Sequence, residues 1–102
     1  MNQNNNRESI NDLERAIFNL HGCNSKWLES VPIVEKFSDN IVWDGVVQIF
    51  KLIGHPQSIK CYAWSHSVEG STKRKFHAVL HFGPVDSPQK AVQAAIIARH
   101  KK

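Results

Sequence analysis

The sequence predicts an α+β fold: a three-stranded antiparallel β-sheet with an N-terminal and a C-terminal helix packed on one face (α-β-β-β-α). Apolar residues recur at helical spacing near both ends of the chain. Residues 41–82 are rich in β-branched and aromatic residues, as strands are. Turn residues interrupt this stretch at short intervals, and short connections favour an antiparallel meander.

The first helix is predicted over residues 9–21. Ser9 is a suitable N-cap, and Gly22 is a suitable residue to end the helix. An apolar stripe at helical spacing lies between them, formed by Ile10, Leu13, Ile17 and Leu20. Residues 1–8 are rich in Asn, and we expect them to form a disordered N-terminal tail.

Residues 23–40 have the least distinct pattern. Ser25 and Pro32 could each begin a short helical turn, so we expect helical turns here. A break follows at 38–40, where the sequence is Ser-Asp-Asn.

Three strands are predicted at 41–53, 59–68 and 74–82, separated by turns at 54–56 and 69–72. The third strand alternates most clearly. One face holds Phe76, Ala78, Leu80 and Phe82; the other holds Lys75, His77, Val79 and His81.

The final helix is predicted over residues 88–100, within a single folded domain spanning 9–102. Ser87 is a suitable N-cap, and Pro88 fits the first helical position because its missing N–H has no helical partner there. Cations after Ala98 suit the negative end of the helix dipole.

Charge is distributed unevenly along the chain. Residues 1–40 carry a net charge of −2 and residues 41–102 a net charge of +6. A basic half on a small domain favours an anionic partner, and nucleic acid is the commonest one.

Chain reversal after Gly83 should bring the end of the last helix back to the start of the last strand. Two basic runs would then form one phosphate-binding patch. Its predicted residues are Lys73, Arg74, Lys75, Arg99, Lys101 and Lys102. The alternative is a solvated hairpin and a frayed helix end.

Aromatic residues of the middle strand suggest a second contact. If the helices cover only the face of Cys61 and Ala63, then Tyr62, Trp64 and His66 lie with His77 and His81 on an open face, where unpaired bases could stack. The alternative is that Tyr62 and Trp64 pack under residues 23–40 or at a dimer contact.

Other chemistry has little support in the sequence. His77 and His81 lie roughly 13 Å apart along a strand, too far to share a zinc ion, and no nucleophile–base pair stands in a known motif. We therefore predict no metal site, no cofactor and no catalytic residues. With no secretory signal or membrane span, Cys23 and Cys61 are expected to be reduced thiols in a cytoplasmic protein; a disulfide is the alternative.

The predicted element order and the last helix resemble the double-stranded-RNA-binding domain. Ser87, Ala91, Ala94 and Ala95 match the serine and alanines around that family's final helix. Pro88 and Gln89 stand where the family has phosphate-binding lysines, so the resemblance implies the fold more than the binding of duplex RNA.

The sequence thus favours a small non-catalytic module that binds nucleic acid, RNA rather than DNA. The alternative is a protein-interaction or homodimerisation module that uses an open sheet face or an edge strand.

Overall fold

The computed structural model describes the backbone of residues 3–68 and 70–100 and the side chains of residues 10–68 and 70–98. The elements are α1 (Gln3–His21), β1 (Asn24–Phe37), β2 (Asn40–Ile53), β3 (Lys60–Ser67), β4 (Arg74–Leu80) and α2 (Pro88–His100). The strands form one antiparallel sheet in the order β1-β2-β3-β4. The α+β class with a helix near each end is confirmed, but the sheet has four strands instead of the predicted three.

The additional strand is β1, and the prediction of helical turns in this region was wrong. It pairs with β2 along its whole length, from Asn24 opposite Ile53 to Phe37 opposite Asn40. A register shift after Trp27 and the exposure of most of its side chains remove the alternation by which a strand is recognised. Pro32 is compatible with β1 because the strand lies at the sheet edge, where no neighbour needs the missing N–H.

Helix α1 begins at Gln3, six residues before the predicted start at Ser9. Residues 3–8 of the predicted tail are therefore helical, whereas residues 1 and 2 lie outside the described part of the chain. Within those limits, no helix is long and apolar enough to span a membrane.

The predicted end of α1 and the predicted start of α2 are both reproduced. Gly22 has a φ of 72°, and its N–H donates to the Phe18 carbonyl at 2.8 Å, as expected where a glycine ends a helix. At α2, the Ser87 hydroxyl accepts a hydrogen bond from the Lys90 N–H at 3.2 Å, which confirms the N-cap.

The two helices lie on opposite faces of the sheet, which corrects the prediction that both cover one face. The core under α1 consists of Leu13, Ile17, Cys23, Phe50, Leu52, Cys61 and Ala63. The core under α2 consists of Ile33, Val47, Ile49, Tyr62, Trp64, Ala91 and Val92. Successive side chains of β3 alternate between these two cores, so this strand needs a cover on each face.

Alkaline pH should destabilise the protein through the α1 core, where Cys23 and Cys61 are free and buried. Burial, with a smaller contribution from Cys23, raises the pKa of the Cys61 thiol from 9.0 to about 12. The folded state then holds this proton more tightly than the unfolded state, so stability is lost as pH rises from about 9 towards 12.

The loss can approach about 1.4 kcal/mol per pH unit for one such group. Urea unfolding at a series of pH values measures it. Cys61→Ala, referenced to its own stability at pH 7, should show a shallower alkaline decline. A remaining slope is expected because burial, and then Asp86 and Cys61, raise the pKa of Tyr62. Equal slopes in both proteins would contradict the prediction.

Candidate functional site

The two hairpins of the sheet separate beyond a short region of contact. Strand β2 pairs with β3 only from Gln48 to Lys51. Beyond this region β3 stays paired with β4, out to Ser67 opposite Arg74, and β2 stays paired with β1. On the α2 side of this divergence lies a cavity of about 910 Å³. We call this cavity the α2 groove.

The α2 groove has three walls. Helix α2 contributes Ala94, Ala95, Ile96 and Ala98. The β3–β4 hairpin contributes mainly Trp64, His66, Lys75, His77 and Val79, with Ser67 and Val68 at the rim. Strand β2 contributes Trp43. Because three α2 residues are alanines, the helix wall leaves space that larger side chains would fill.

Helix α2 is held over the sheet at its N-terminal half. Ala91 and Val92 are fully buried. The amides of Gln89 and Gln93 both donate to the Glu35 carboxylate on β1, Gln93 at 3.0 Å. The C-terminal half of the helix lines the groove instead.

A row of aromatic rings forms the sheet wall of the α2 groove. Trp64 stacks on His77 at 5.1 Å between ring centroids, and His77 stacks on His66 at 5.2 Å. Trp43 meets the other end of the row, with its ring edge-to-face to Trp64 at 5.8 Å. His66 and His77 are half-buried, so the row runs from a buried tryptophan to a partly solvent-accessible imidazole.

Gly45 gives Trp43 its place in this row. A Cβ atom at Gly45 would lie 3.0 Å from the Trp43 ring, closer than nine in ten Cβ contacts in proteins. The indole therefore lies directly over the glycine backbone. Absence of a side chain at position 45 is the local sequence feature that allows this packing.

Lys75 is the described basic residue of the α2 groove. It is exposed, and it is the cross-strand partner of His66 at the outer end of the ring row. None of the described residues that line the groove is acidic. The groove thus combines aromatic ring faces with a positive charge at its rim.

The predicted basic cluster at the start of β4 is divided between the two faces of the sheet. Arg74 donates from Nε to the Ser65 hydroxyl at 3.0 Å and from Nη2 to the Ser65 carbonyl at 3.1 Å, on the face that α1 covers further along. Lys75 lies on the α2 face, and Lys73 is exposed in the preceding turn. Alternation along the strand makes this division unavoidable.

The second half of the predicted patch lies outside the described side chains, which end at residue 98. This applies to Arg99, Lys101 and Lys102. Ala98 and Lys75 do line the same groove, so the C-terminal half of α2 faces the start of β4. The helix therefore runs in the direction that the chain-reversal argument predicts, and the joint patch stays a prediction.

The expectation of an open sheet face at Tyr62 and Trp64 was wrong, because α2 covers both side chains. They are 2% and 3% exposed. The Tyr62 hydroxyl and Nδ1 of His81 are hydrogen-bonded at 2.6 Å, outside the groove. This pair links β3 to the loop before α2, and the groove residues His66 and His77 are the more accessible rings on this face.

The sequence grouped Trp64, His66 and His77 on one possible stacking face, but the predicted binding residues included neither histidine. It did not single out Trp43, although a glycine two residues after a strand tryptophan is a usable signal for a ring lying over the backbone. In the described part of the chain, no three His, Cys, Asp or Glu side chains are grouped closely enough to hold a metal ion.

Comparisons with known proteins identify no relative of this chain. No protein-family model matches the chain, and the searches of curated proteins and of solved structures find no significant match. The resemblance to the double-stranded-RNA-binding domain therefore stays a prediction.

Replacing Gly45 by alanine should displace Trp43 from the ring row. Overpacking of this kind typically costs about 1–3 kcal/mol of unfolding free energy, and loss of the edge-to-face contact should change the near-ultraviolet circular dichroism of the tryptophans. Adding Trp43→Phe to Gly45→Ala should recover stability, because the smaller ring leaves room for the methyl group. An unchanged dichroism spectrum in Gly45→Ala would contradict the assigned packing.

Proposed function

We propose that the protein is a small non-catalytic module that binds nucleic acid, RNA in preference to DNA, in and beside the α2 groove. The observation that carries the proposal is the lining of this groove, in which stacked rings adjoin Lys75 and the described lining residues include no carboxylate. Ring faces attract bases and the cation attracts phosphate, which is the combination found in proteins that bind single strands.

The net charge supports this assignment. Residues 41–102, which include β3, β4 and α2, carry a net charge of +6, whereas residues 1–40 carry −2. Lys73 and Lys75, with the predicted contribution of Arg99, Lys101 and Lys102, would hold phosphates at the open end of the groove. Arg74 would add to the overall positive potential from the opposite face of β4.

RNA is favoured because recognition of unpaired bases by aromatic side chains is typical of RNA-binding domains. Trp64 would form the buried end of the ring row, and His66 and His77 would offer the accessible ring faces. Tyr62 is not expected to contact the ligand, because it is buried and bonded to His81.

Lys75→Gln should weaken binding of a fluorescein-labelled single-stranded RNA. If Lys75 contacts one phosphate, the slope of log K against log salt should fall by about 0.7 between about 50 and 200 mM salt, measured by fluorescence anisotropy. Lys26→Gln is the matched control, because Lys26 is an exposed strand lysine on β1 outside the groove.

Equal effects of the two substitutions would show that the groove has no special part in binding. Absence of salt-sensitive binding by the unmodified protein would overturn the proposed function altogether.

A second candidate function is protein association through the β1–β2 hairpin. The end of this hairpin exposes apolar side chains that α1 and α2 do not cover: Val34, Phe37, Ile41, Val42 and Val46, each 47–74% exposed. Apolar clusters of this kind often mark interaction surfaces.

Light scattering tests this candidate as homodimerisation. The mass should rise with concentration towards that of a dimer, and Phe37→Ser should reduce the rise. Phe82→Ser is the matched control, since Phe82 is 56% exposed but lies outside this hairpin. A monomer mass at every concentration, or equal effects of both substitutions, would contradict it.

A further inference from the structure

The α2 groove has the size and wall chemistry of a ligand site. Its volume of about 910 Å³ falls within the range of about 300–1,000 Å³ that is typical of small-molecule and cofactor pockets. A nucleobase needs a slot with flat apolar or aromatic walls. The alanine face of α2 and the ring row of the β3–β4 hairpin are two such walls on opposite sides of one cavity.

The ring row ends at a position where a further ring can be added. Trp64, His77 and His66 follow one another with interplanar angles of 19° and 25°. Within the described residues, no further ring stacks on His66 beyond His77. A base placed there would continue the row.

Lys75 lies where the phosphate of such a base would be expected. As the cross-strand partner of His66, it places a cation next to the end of the row. The groove therefore complements one nucleotide: the His66 ring can stack on the base, and the Lys75 ammonium group can attract the phosphate beside it.

We infer that the α2 groove takes one unpaired base of a single-stranded RNA, stacked on the His66 end of the ring row, with an adjacent phosphate at Lys75. This inference rests on the proposed function and specifies its ligand. A paired base is excluded because its faces are covered by neighbouring base pairs and its edges are hydrogen-bonded to the opposite strand.

The alanines of α2 determine access for the base. Ala94 and Ala95 are half-buried, and Ala98 is exposed at the open end of the groove. A leucine at position 98 would occupy the groove while keeping a strong helix former in the helix. Ile97 is 60% exposed and does not line the groove, so Ile97→Leu places the same side chain one position away.

The test uses a Trp27→Phe background, which leaves Trp43 and Trp64, both at the groove, as the two tryptophans whose fluorescence is followed. The probes are an oligoadenylate of about ten nucleotides, an abasic ribose-phosphate strand of equal length, the corresponding duplex and adenosine monophosphate. The oligoadenylate should quench the fluorescence and bind more tightly than the other three.

Variants locate the base. His66→Ala should weaken oligoadenylate binding by between about 5-fold and about 160-fold, the range for loss of one base–aromatic stack, whereas His66→Phe should retain most of the affinity. Ala98→Leu should weaken it, and Ile97→Leu should not.

Equal affinity for the oligoadenylate and the abasic strand would overturn the inference while leaving a phosphate-binding function in place. So would unchanged binding by Ala98→Leu. Failure of every strand to bind would overturn the proposed function itself, so the two failures are distinguishable. Equal or tighter binding of adenosine monophosphate would instead identify a free nucleotide as the ligand and contradict the RNA assignment.

Discussion

Burial of both faces of β3 is the constraint on which the rest of the structure depends. Cys61 and Ala63 face α1, while Tyr62 and Trp64 face α2, and all four are at most 3% exposed. Full burial of a large apolar side chain contributes about 1.5–3 kcal/mol. The Asp86–Lys90 ion pair, at 3.2 Å, is a local contact at the start of α2 and does not join the helix to the sheet. Apolar burial, together with the contacts of Gln89 and Gln93 to Glu35 on β1, therefore places α2.

The same placement produces the α2 groove. The buried residues of α2, Ala91 and Val92, lie in its N-terminal half, and its amide contacts to Glu35 extend over the first six helical residues. Further along α2, three of the four residues that line the groove are alanines, Ala94, Ala95 and Ala98, and they lie where the two hairpins of the sheet diverge. A helix wall and a sheet wall therefore stay apart, and the aromatic residues of β3 and β4 line the space between them.

Much of the secondary structure could be predicted because local signals agreed with the final packing. The range of α2 is the predicted one, since Ser87 and Pro88 define its start independently of any partner. Strand β1 could not be predicted in this way. It is an edge strand that is exposed over most of its length, so neither alternation nor burial marked it in the sequence.

The site was predicted only in part for a similar reason. Alternation correctly grouped Trp64 with His66 and His77, but it cannot tell whether a helix covers that face. The apolar residues of α2, such as Ala91 and Val92, could pack on either face of the sheet as far as the sequence shows. Only the packed arrangement shows that the cover is complete over Tyr62 and incomplete near His66.

A backbone amide chemical-shift map, recorded as a short oligoadenylate is added to the isotope-labelled protein, tests the central claim most directly. We expect the largest shifts at His66, Lys75 and His77 and along Ala94–Ala98, the two walls of the α2 groove. Shifts confined to the β1–β2 hairpin or to the α1 face around Arg74, or no shifts at any strand concentration, would contradict the assignment of the groove as the binding site.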